Sequence, residues 1–222
     1  MKEIEKKIIE FIRINRVSTT EIADALGKRG AIYGVKAVNF GKHCVGKIRG
    51  IVVADGSNFG VHEELRSLCQ DEVFLVSTNN FLHDEAVLGD LVTRSAIIYK
   101  NAAAVVVVGK VRDYARLRRE DYPIWSTGSN PIGAVNEERS PSQRHSQDGG
   151  IAVCDDGGVV IIDVDSISNE TLTNLQKIER QEDIWYFCLN TLKWETFDIV
   201  CKRKYREASE LLPIQLRDLP ID

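Results

Sequence analysis

The run Ala102 to Val108, AAAVVVV, constrains this chain most. A stretch this short and this rich in β-branched residues has no polar face to show to water. It reads as a strand covered on both sides. Before it, Gly89 to Tyr99 reads as a helix and Val73 to Val76 as a short buried strand. Strand, helix and strand in succession give an α/β core. The same run is the longest apolar stretch in the chain, and it is far too short to cross a bilayer as a helix.

Composition sets the remaining bounds. With 222 residues, 43% hydrophobic and 28% charged, the chain has enough apolar surface for one ordinary domain or a domain with an appendage. Disordered, collagen-like and low-complexity classes are excluded. Lys+Arg number 29 against 33 Asp+Glu, so no positive excess exists to coat a phosphate backbone. The opening MKEIEKKIIE has charges throughout and no signal-peptide core, so a cytoplasmic protein with no membrane segment is expected. Cys44, Cys69, Cys154, Cys188 and Cys201 form no C-x-x-C pair, and reduced, mostly buried thiols are expected.

Along the chain, Ile4, Ile8, Ile9 and Ile12 recur at helical spacing. Ser18 or Thr19 caps a second short helix that Gly27 stops. Two helices at a turn would suit a DNA reader, but Gly27, Gly30 and Gly34 occupy the place of a recognition helix. From Ala31 to Val53, Gly34, Gly41, Gly46 and Gly50 set a rhythm of short strands and tight turns. His62 to Cys69 reads as a helix with Leu65 and Leu68 inward. Asp155-Asp156-Gly157-Gly158 joins Ile151–Cys154 to Val159–Ile162 as a hairpin with a primed turn. The polar stretch 136–149 reads as an exposed loop. The expected division is an α/β domain over 1–163 and a partly helical appendage over 164–222, with a basic cluster at Lys202, Arg203, Lys204 and Arg206. Trp125, Trp185 and Trp194 are expected as core or interface anchors.

The chemistry gathers at two places. After the buried strand, Gly109-Lys110-Val111 leads to Arg112-Asp113, a guanidinium and a carboxylate at the carboxyl end of a strand, where open α/β sheets bind ligands. Upstream, Gly89, Asp90, Leu91 and Val92 open the preceding helix, whose first N–H groups lack intrahelical partners. A substrate carboxylate fits between that turn and the forked donors of Arg112, with Asp113 as an oxygen ligand for a hard divalent cation. His62-Glu63-Glu64 and His83-Asp84-Glu85 do not converge and read as solvated surface. No nucleophile elbow, Walker A loop or dinucleotide fingerprint occurs.

Thr19-Thr20-Glu21-Ile22-Ala23-Asp24-Ala25-Leu26, Gly89-Asp90-Leu91, Val111-Arg112-Asp113 and Asp155-Asp156-Gly157-Gly158-Val159-Val160, in that order, resemble the RraA-like family. That family includes the regulator of ribonuclease activity A and the 4-hydroxy-4-methyl-2-oxoglutarate/4-carboxy-4-hydroxy-2-oxoadipate aldolases. The resemblance spans residues 10 to 163. It implies a swivelling, phosphohistidine-domain-like α/β fold assembled as a homotrimer or hexamer, with sites near subunit boundaries. It also implies a lyase that uses Mg²⁺ or Mn²⁺ to cleave or decarboxylate a 2-keto acid through a pyruvate enolate. By position, Asp90 would hold a metal-bound water, Arg112 the pyruvate-like carboxylate and substrate oxygen, and Asp113 the metal. The alternative that the family offers is a catalytically silent regulator acting through protein contacts.

This chain departs from the family pattern at several positions. Residues 91–111 separate Asp90 from Arg112, one more than the family spacing, and the extra residue is expected near Tyr99-Lys100-Asn101. Arg116 stands where the family carries a further acid, which would weaken metal binding if it points inward. Asn79-Asn80 replaces a glycine pair, and the stretch around Ser140 to Gly150 is shorter and more polar.

Overall fold

A computed structural model describes residues 2–78 and 84–217. The chain divides into two compact units, Met1–Ser168 and Asn169–Asp222. In the first, helix α1 (Glu3–Asn15) buries Ile8, Ile9 and Ile12 and ends at Arg16 in the left-handed region. Ser18 caps α2 (Thr19–Ala25): the Glu21 N–H donates to its hydroxyl at 3.2 Å, and the Glu21 carboxylate accepts from the Ser18 N–H at 2.7 Å. There follow β1 (Lys36–Ala37), β2 (Cys44–Val53), α3 (Phe59–Ser67), β3 (Glu72–Thr78) and β4 (Ala86–Leu88). Helix α4 (Asp90–Arg94) runs on into a π-helical turn, Ser95–Tyr99. Next come β5 (Ala104–Val111), α5 (Tyr114–Arg119), β6 (Ile124–Ser129), β7 (Gln143–Arg144), β8 (Ile151–Asp155) and β9 (Gly158–Ile162).

One sheet holds these strands in the order β1-β6-β5-β3-β2-β8-β9, with β4 also on β5 and β7 also on β2. Strands β2, β3, β5 and β6 run parallel, so their carboxyl ends gather at one end of the molecule. The segment before β1 bridges to β9 (Ala31 opposite Val160, with the Ile32 N–H donating to Val159 O at 2.9 Å), while β1 itself pairs with β6. One piece of chain thus touches both margins, and the sheet curls into a nearly closed barrel.

That curl explains the AAAVVVV run. Val105 and Val107, with Phe74 and Val76, pack under the helices against Val61, Leu65, Val92, Ala96 and Leu117. Ala104 and Val106, with Val73 and Leu75, face inside the curled sheet against Trp125, Ala152, Cys154 and Ile161. Both faces of β5 are dry, so both parities along the strand are apolar.

Several expectations need correction. Gly46 and Gly50 are not turns: both lie inside the ten-residue β2. A Cβ on Gly46 would strike the Asp71 carbonyl, and one on Gly50 would meet His145 Cβ at 2.8 Å, so these glycines mark close backbone approach. The β8–β9 hairpin forms, but Asp156 and Gly157 do not have positive φ, so its turn is not primed. The Asp155 carboxylate sets it instead, accepting from Gly157 N–H at 2.8 Å and from Thr19 N–H and Oγ1 at 2.7 and 2.6 Å. Stretch 136–149 is largely exposed but not structureless. Gln143 and Arg144 pair with Val52 and Ile51, and Asp148 accepts from Gly50 N–H at 2.8 Å.

Of the thiols, Cys154 and Cys188 are buried, Cys44 is half-buried, and Cys69 and Cys201 are exposed, so the cysteines are free but not mostly buried. Cys44 and Cys154 face each other across β2 and β8. Burial pushes Cys44 up to about 11 and Cys154 well above the ordinary thiol value, which keeps both protonated and unreactive near neutral pH. Asn79-Asn80 and His83 lie outside the described residues. Among the described residues no helix is long and apolar enough to cross a membrane.

The second unit has its own core. Helix α6 (Asn169–Asn190) supplies Ile184 and Cys188, which pack with Ile199, Tyr205 and Leu212, and a short α7 (Ile214–Arg217) follows. Trp185 and Trp194 pack against this cluster, as Trp125 does in the first unit. Lys202 and Lys204 sit over the rings of Phe197 and Trp194 at 5.1 and 4.6 Å. Lys202 also pairs with Asp198 at 3.2 Å, so these two lysines of the basic cluster are engaged within their own unit.

Replacing Gly46 by Ala should destabilise the fold by about 1–3 kcal/mol, because the obstacle is backbone and has nowhere to move. Urea denaturation checks this, and an unchanged midpoint would contradict the close-approach assignment.

Candidate functional site

The site is built around the exit of β5. The strand's last residue, Val111, is buried, and Arg112 and Asp113 emerge directly beyond it. The Arg112 N–H donates to Leu88 O at 2.9 Å, which ties this exit to the end of β4 and to the start of α4. Asp113 then turns at φ +57°, in the left-handed region, and serves as the N-cap position of α5. Asp tolerates that conformation better than most residues, and the reversal sends α5 back across α4.

The turn brings four charged side chains together in a chain of contacts. Arg112 Nε lies 3.7 Å from Asp113 Oδ2. The same oxygen accepts from the Asp90 N–H at 3.3 Å. Asp90 Oδ2 lies 3.2 Å from Arg116 Nε. Asp90 is buried, with its side chain 4% exposed, whereas Arg116 is 55% exposed. Arg116 does point inward, and it partners the buried carboxylate. The second oxygen, Asp90 Oδ1, is buried and has no hydrogen-bond partner among the described residues. An orphan buried carboxylate oxygen is costly and calls for a donor from a water or a ligand.

Arg112 runs through a slot made by two glycines. A Cβ on Gly89 would meet Arg112 Cγ at 2.7 Å and Asp113 Oδ2 at 2.5 Å, and one on Gly133 would meet Arg112 Nη1 at 2.5 Å. Gly133 arrives because the segment after β6 pairs with β4: Ala86 N–H donates to Ile132 O at 2.7 Å and Ala134 N–H to Ala86 O at 2.8 Å. The stem is thereby confined, while the guanidinium makes no hydrogen bond to any described residue and its side chain is 42% exposed. With Nε beside Asp113 and Nη1 against Gly133, the remaining N–H donors of the fork have no acceptor among the described residues.

At the start of α4, the first i→i−4 bond runs from Thr93 N–H to Gly89 O at 3.1 Å, reinforced by Thr93 Oγ1 at 2.9 Å. The Leu91 and Val92 N–H groups precede it and have no partner within the helix. Val92 is buried in the core, and Leu91 is 75% exposed. Gly89, Asp90, Leu91, Arg112 and Asp113 therefore lie at one place, with Val92 contributing its backbone.

The turn before Asn101, where the extra residue is expected, is π-helical. The π turn Ser95–Tyr99 closes with Lys100 N–H donating to Ser95 O at 3.1 Å, and Asn101 comes next at φ +52°. A π turn takes up one residue more than an α turn without displacing the strand beyond it, so β5 keeps its register.

Asp113 and Asp90 are the oxygen donors that could take a hydrated divalent cation, and the inward-pointing Arg116 guanidinium at Asp90 works against its charge. The contacts of Asp113 run through Oδ2, which leaves Oδ1 open, and Asp90 Oδ1 is placed to accept from a water. Mg²⁺ needs only one or two carboxylates and keeps several waters. Among the described residues no group of three or more His, Cys, Asp or Glu side chains converges, so His62-Glu63-Glu64 holds no metal cluster; Glu64 pairs with Arg49 and Arg144 instead.

The pattern of the RraA-like family, described as Aldolase/RraA, matches residues 19–167. The chain belongs to the RraA-like family. Protein DlpA of Legionella pneumophila subsp. pneumophila is 28% identical over 170 residues, which make up 71% of this chain and 28% of that protein. The chain therefore spans little more than a quarter of that relative. An uncharacterized protein from Pseudomonas syringae pv. tomato superposes with a TM-score of 0.67 at 20% identity, over 84% of this chain and 93% of that one. RraAS2 of Streptomyces coelicolor, described as an unusual member of the RNase ES inhibitor RraA protein family, gives 0.60 at 22% identity, over 78% and 94%. At these identities the structures establish the RraA-like fold.

Gly133 and the pairing of Arg116 with Asp90 were not foreseeable as parts of the site. Gly133 enters through pairing with β4, for which no sequence signal exists, and the Arg116 contact depends on the left-handed turn at Asp113.

Gly133→Ala should displace the Arg112 head without unfolding the protein, since the obstacle is the far end of a flexible side chain. We expect the melting temperature to stay within a few degrees and the Arg112 Nε–H resonance to shift. A large fall in melting temperature with that resonance unmoved would contradict the slot.

Proposed function

We propose that this RraA-like protein is a divalent-metal-dependent lyase acting on a 2-keto acid, by retro-aldol cleavage or decarboxylation. The observation that carries the reading is the Arg112 guanidinium, held between Gly89 and Gly133 beside the Asp113 carboxylate and without a hydrogen bond to a described residue, together with the buried Asp90 whose Oδ1 has no hydrogen-bond partner among the described residues. Arg112 binds the carboxylate of the keto acid through paired N–H donors and orients its ketone oxygen. Leu91 and Val92 N–H groups supplement that grip at the start of α4. Asp113 and Asp90 would hold Mg²⁺ or Mn²⁺, two carboxylates with oxygen donors suited to a hard cation. When bound, the cation acts as a Lewis acid on the negative charge that develops at the ketone oxygen. Arg112 stabilises the same charge from the protein side. Asp90 Oδ1 would accept a hydrogen bond from the water that takes the proton of the substrate hydroxyl, as that carbon becomes the carbonyl of the released fragment and the breaking C–C bond leaves its electron pair on the pyruvate enolate, and burial keeps that contact out of bulk solvent.

The apolar side chains beside the site support assembly with further copies, a trimer or hexamer, over this end of the molecule. Leu91 is 75% exposed, Ile132 65% and Ile98 51%, large apolar side chains in or next to the segments that carry the site. Sedimentation equilibrium should give a trimer or a multiple of it, reduced to monomer by Leu91→Glu with Ile132→Glu. A monomeric native chain would refute the assembly.

The same exposed side chains favour a second reading, a regulator that works by protein contact, as the Streptomyces relative's description as an unusual member of the RNase ES inhibitor RraA protein family suggests. The deciding experiment is release of pyruvate from oxaloacetate and from a 4-hydroxy-2-keto acid with Mg²⁺ or Mn²⁺. Turnover should be abolished by chelator and fall about a hundredfold or more in Arg112→Ala. A folded, metal-supplied protein without turnover would displace the lyase reading in favour of the regulator.

A further inference from the structure

We propose that Arg116 is a latch on the cation site: its guanidinium pairs with Asp90 until a divalent cation takes its place, and the cation binds only as Arg116 swings out, so that this side chain sets the metal affinity. This inference rests on the reading of Asp90 and Asp113 as the cation's oxygen donors and adds the regulation of that site.

A single contact holds the latch shut. Arg116 Nε lies 3.2 Å from Asp90 Oδ2, and the Arg116 side chain has no hydrogen bond or other ion pair with a described residue. It is 55% exposed on a helix whose Tyr114, Ala115, Arg118 and Arg119 are exposed as well, so it can leave for water without displacing packed neighbours. An exposed arginine that exchanges one ion pair for water loses little. The backbone is fixed separately, with the Arg116 N–H donating to Asp113 O at 2.8 Å and Arg116 O accepting from the Glu120 N–H at 2.9 Å. Opening the latch therefore moves the side chain and leaves α5 in place.

Asp90 is the opposite case. Its side chain is 4% exposed, and its Oδ1 has no partner among the described residues. Withdrawing the guanidinium strands a buried charge, which is costly unless another cation arrives. A divalent cation is that replacement, with Asp113 as its second carboxylate, already tied to Asp90 by the bond from Asp90 N–H to Asp113 Oδ2 at 3.3 Å. While Arg116 is in, Arg112 and Arg116 balance Asp113 and Asp90, and a doubly charged ion meets no net negative charge. A guanidinium and such an ion also repel each other across one buried carboxylate, where water screens them poorly. The apparent affinity for the cation is then reduced by the fraction of time the latch is open. No other side chain replaces Arg116 in this role: Lys110 pairs with Asp84, and Arg94 and Arg119 with Glu120 at 3.8 and 3.3 Å.

The test counts bound Mn²⁺ on the full chain by the electron paramagnetic resonance of the free ion, in native protein, Arg116→Gln, Arg116→Lys and Arg116→Gln combined with Asp113→Asn. Arg116→Gln should bind Mn²⁺ about tenfold or more tightly than the native protein. Arg116→Lys keeps the charge and should stay within about threefold of native. Adding Asp113→Asn should remove the gain, which places it at this site. Melting curves give a second readout: Arg116→Gln should melt below the native protein in chelator, and Mn²⁺ should raise its melting temperature more than it raises the native one. A purely structural ion pair would lower the melting temperature without changing Mn²⁺ affinity. Equal or weaker Mn²⁺ binding by folded Arg116→Gln, or a gain that survives Asp113→Asn, would overturn the latch and leave the metal-dependent reading standing. Failure of both the native protein and Arg116→Gln to bind Mn²⁺ would overturn that reading too.

Discussion

The site depends on strand β5 being buried on both faces. Because Val105 and Val107 pack under the helices while Ala104 and Val106 pack inside the curled sheet, the strand has no freedom to slide. A register shift of one residue would exchange the two faces, and each presents a different set of partners. The strand in turn fixes where Arg112 and Asp113 leave the sheet. Two further restraints act at that exit, the bond from Arg112 N–H to Leu88 O and the left-handed backbone of Asp113. A side-chain cluster that must hold its geometry is thus mounted on the most deeply buried element available.

The π turn before β5 belongs to the same logic. A π turn takes up one residue more than an α turn, and here it disturbs neither the packing of α4 nor the pairing of β3 with β5. Ser95–Tyr99 stores that residue by widening one turn, and the in-register pairs Val73–Ala104 to Ser77–Val108 are kept. Ala96 remains fully buried inside the widened turn while Ile98 and Tyr99 are turned out to solvent.

Legibility in the sequence tracks how local each cause is. The AAAVVVV strand, the capped helix at Ser18 and the Arg112-Asp113 exit are readable because composition, cap chemistry and strand polarity act over a few residues. Gly46 and Gly50 mislead because a glycine that makes room for Asp71 or His145 looks, in sequence, like a glycine that turns the chain. The turn after Asp155 misleads because its conformation is set by a carboxylate that also binds the first turn of α2, 136 positions earlier. Strand β7 is invisible because Gln143 and Arg144 are polar and gain their pairing only from the free margin of β2. At the site, the residue types are legible, but the partnership of Arg116 with Asp90 and the slot built by Gly133 arise from tertiary structure alone.

The Arg116–Asp90 pair is an unequal one, and the inequality carries a functional argument. A carboxylate only 4% exposed bears nearly the full desolvation cost of a buried charge, yet its partner is more than half in water and offers a contact at 3.2 Å without a well-formed hydrogen bond. The orphan Oδ1 adds to that cost. A purely structural ion pair would place both members alike, or replace both by apolar side chains at no loss of stability. Retaining a buried acid with one oxygen unsatisfied and the other shared with a solvent-facing cation is the pattern of a group whose environment is completed by something that binds.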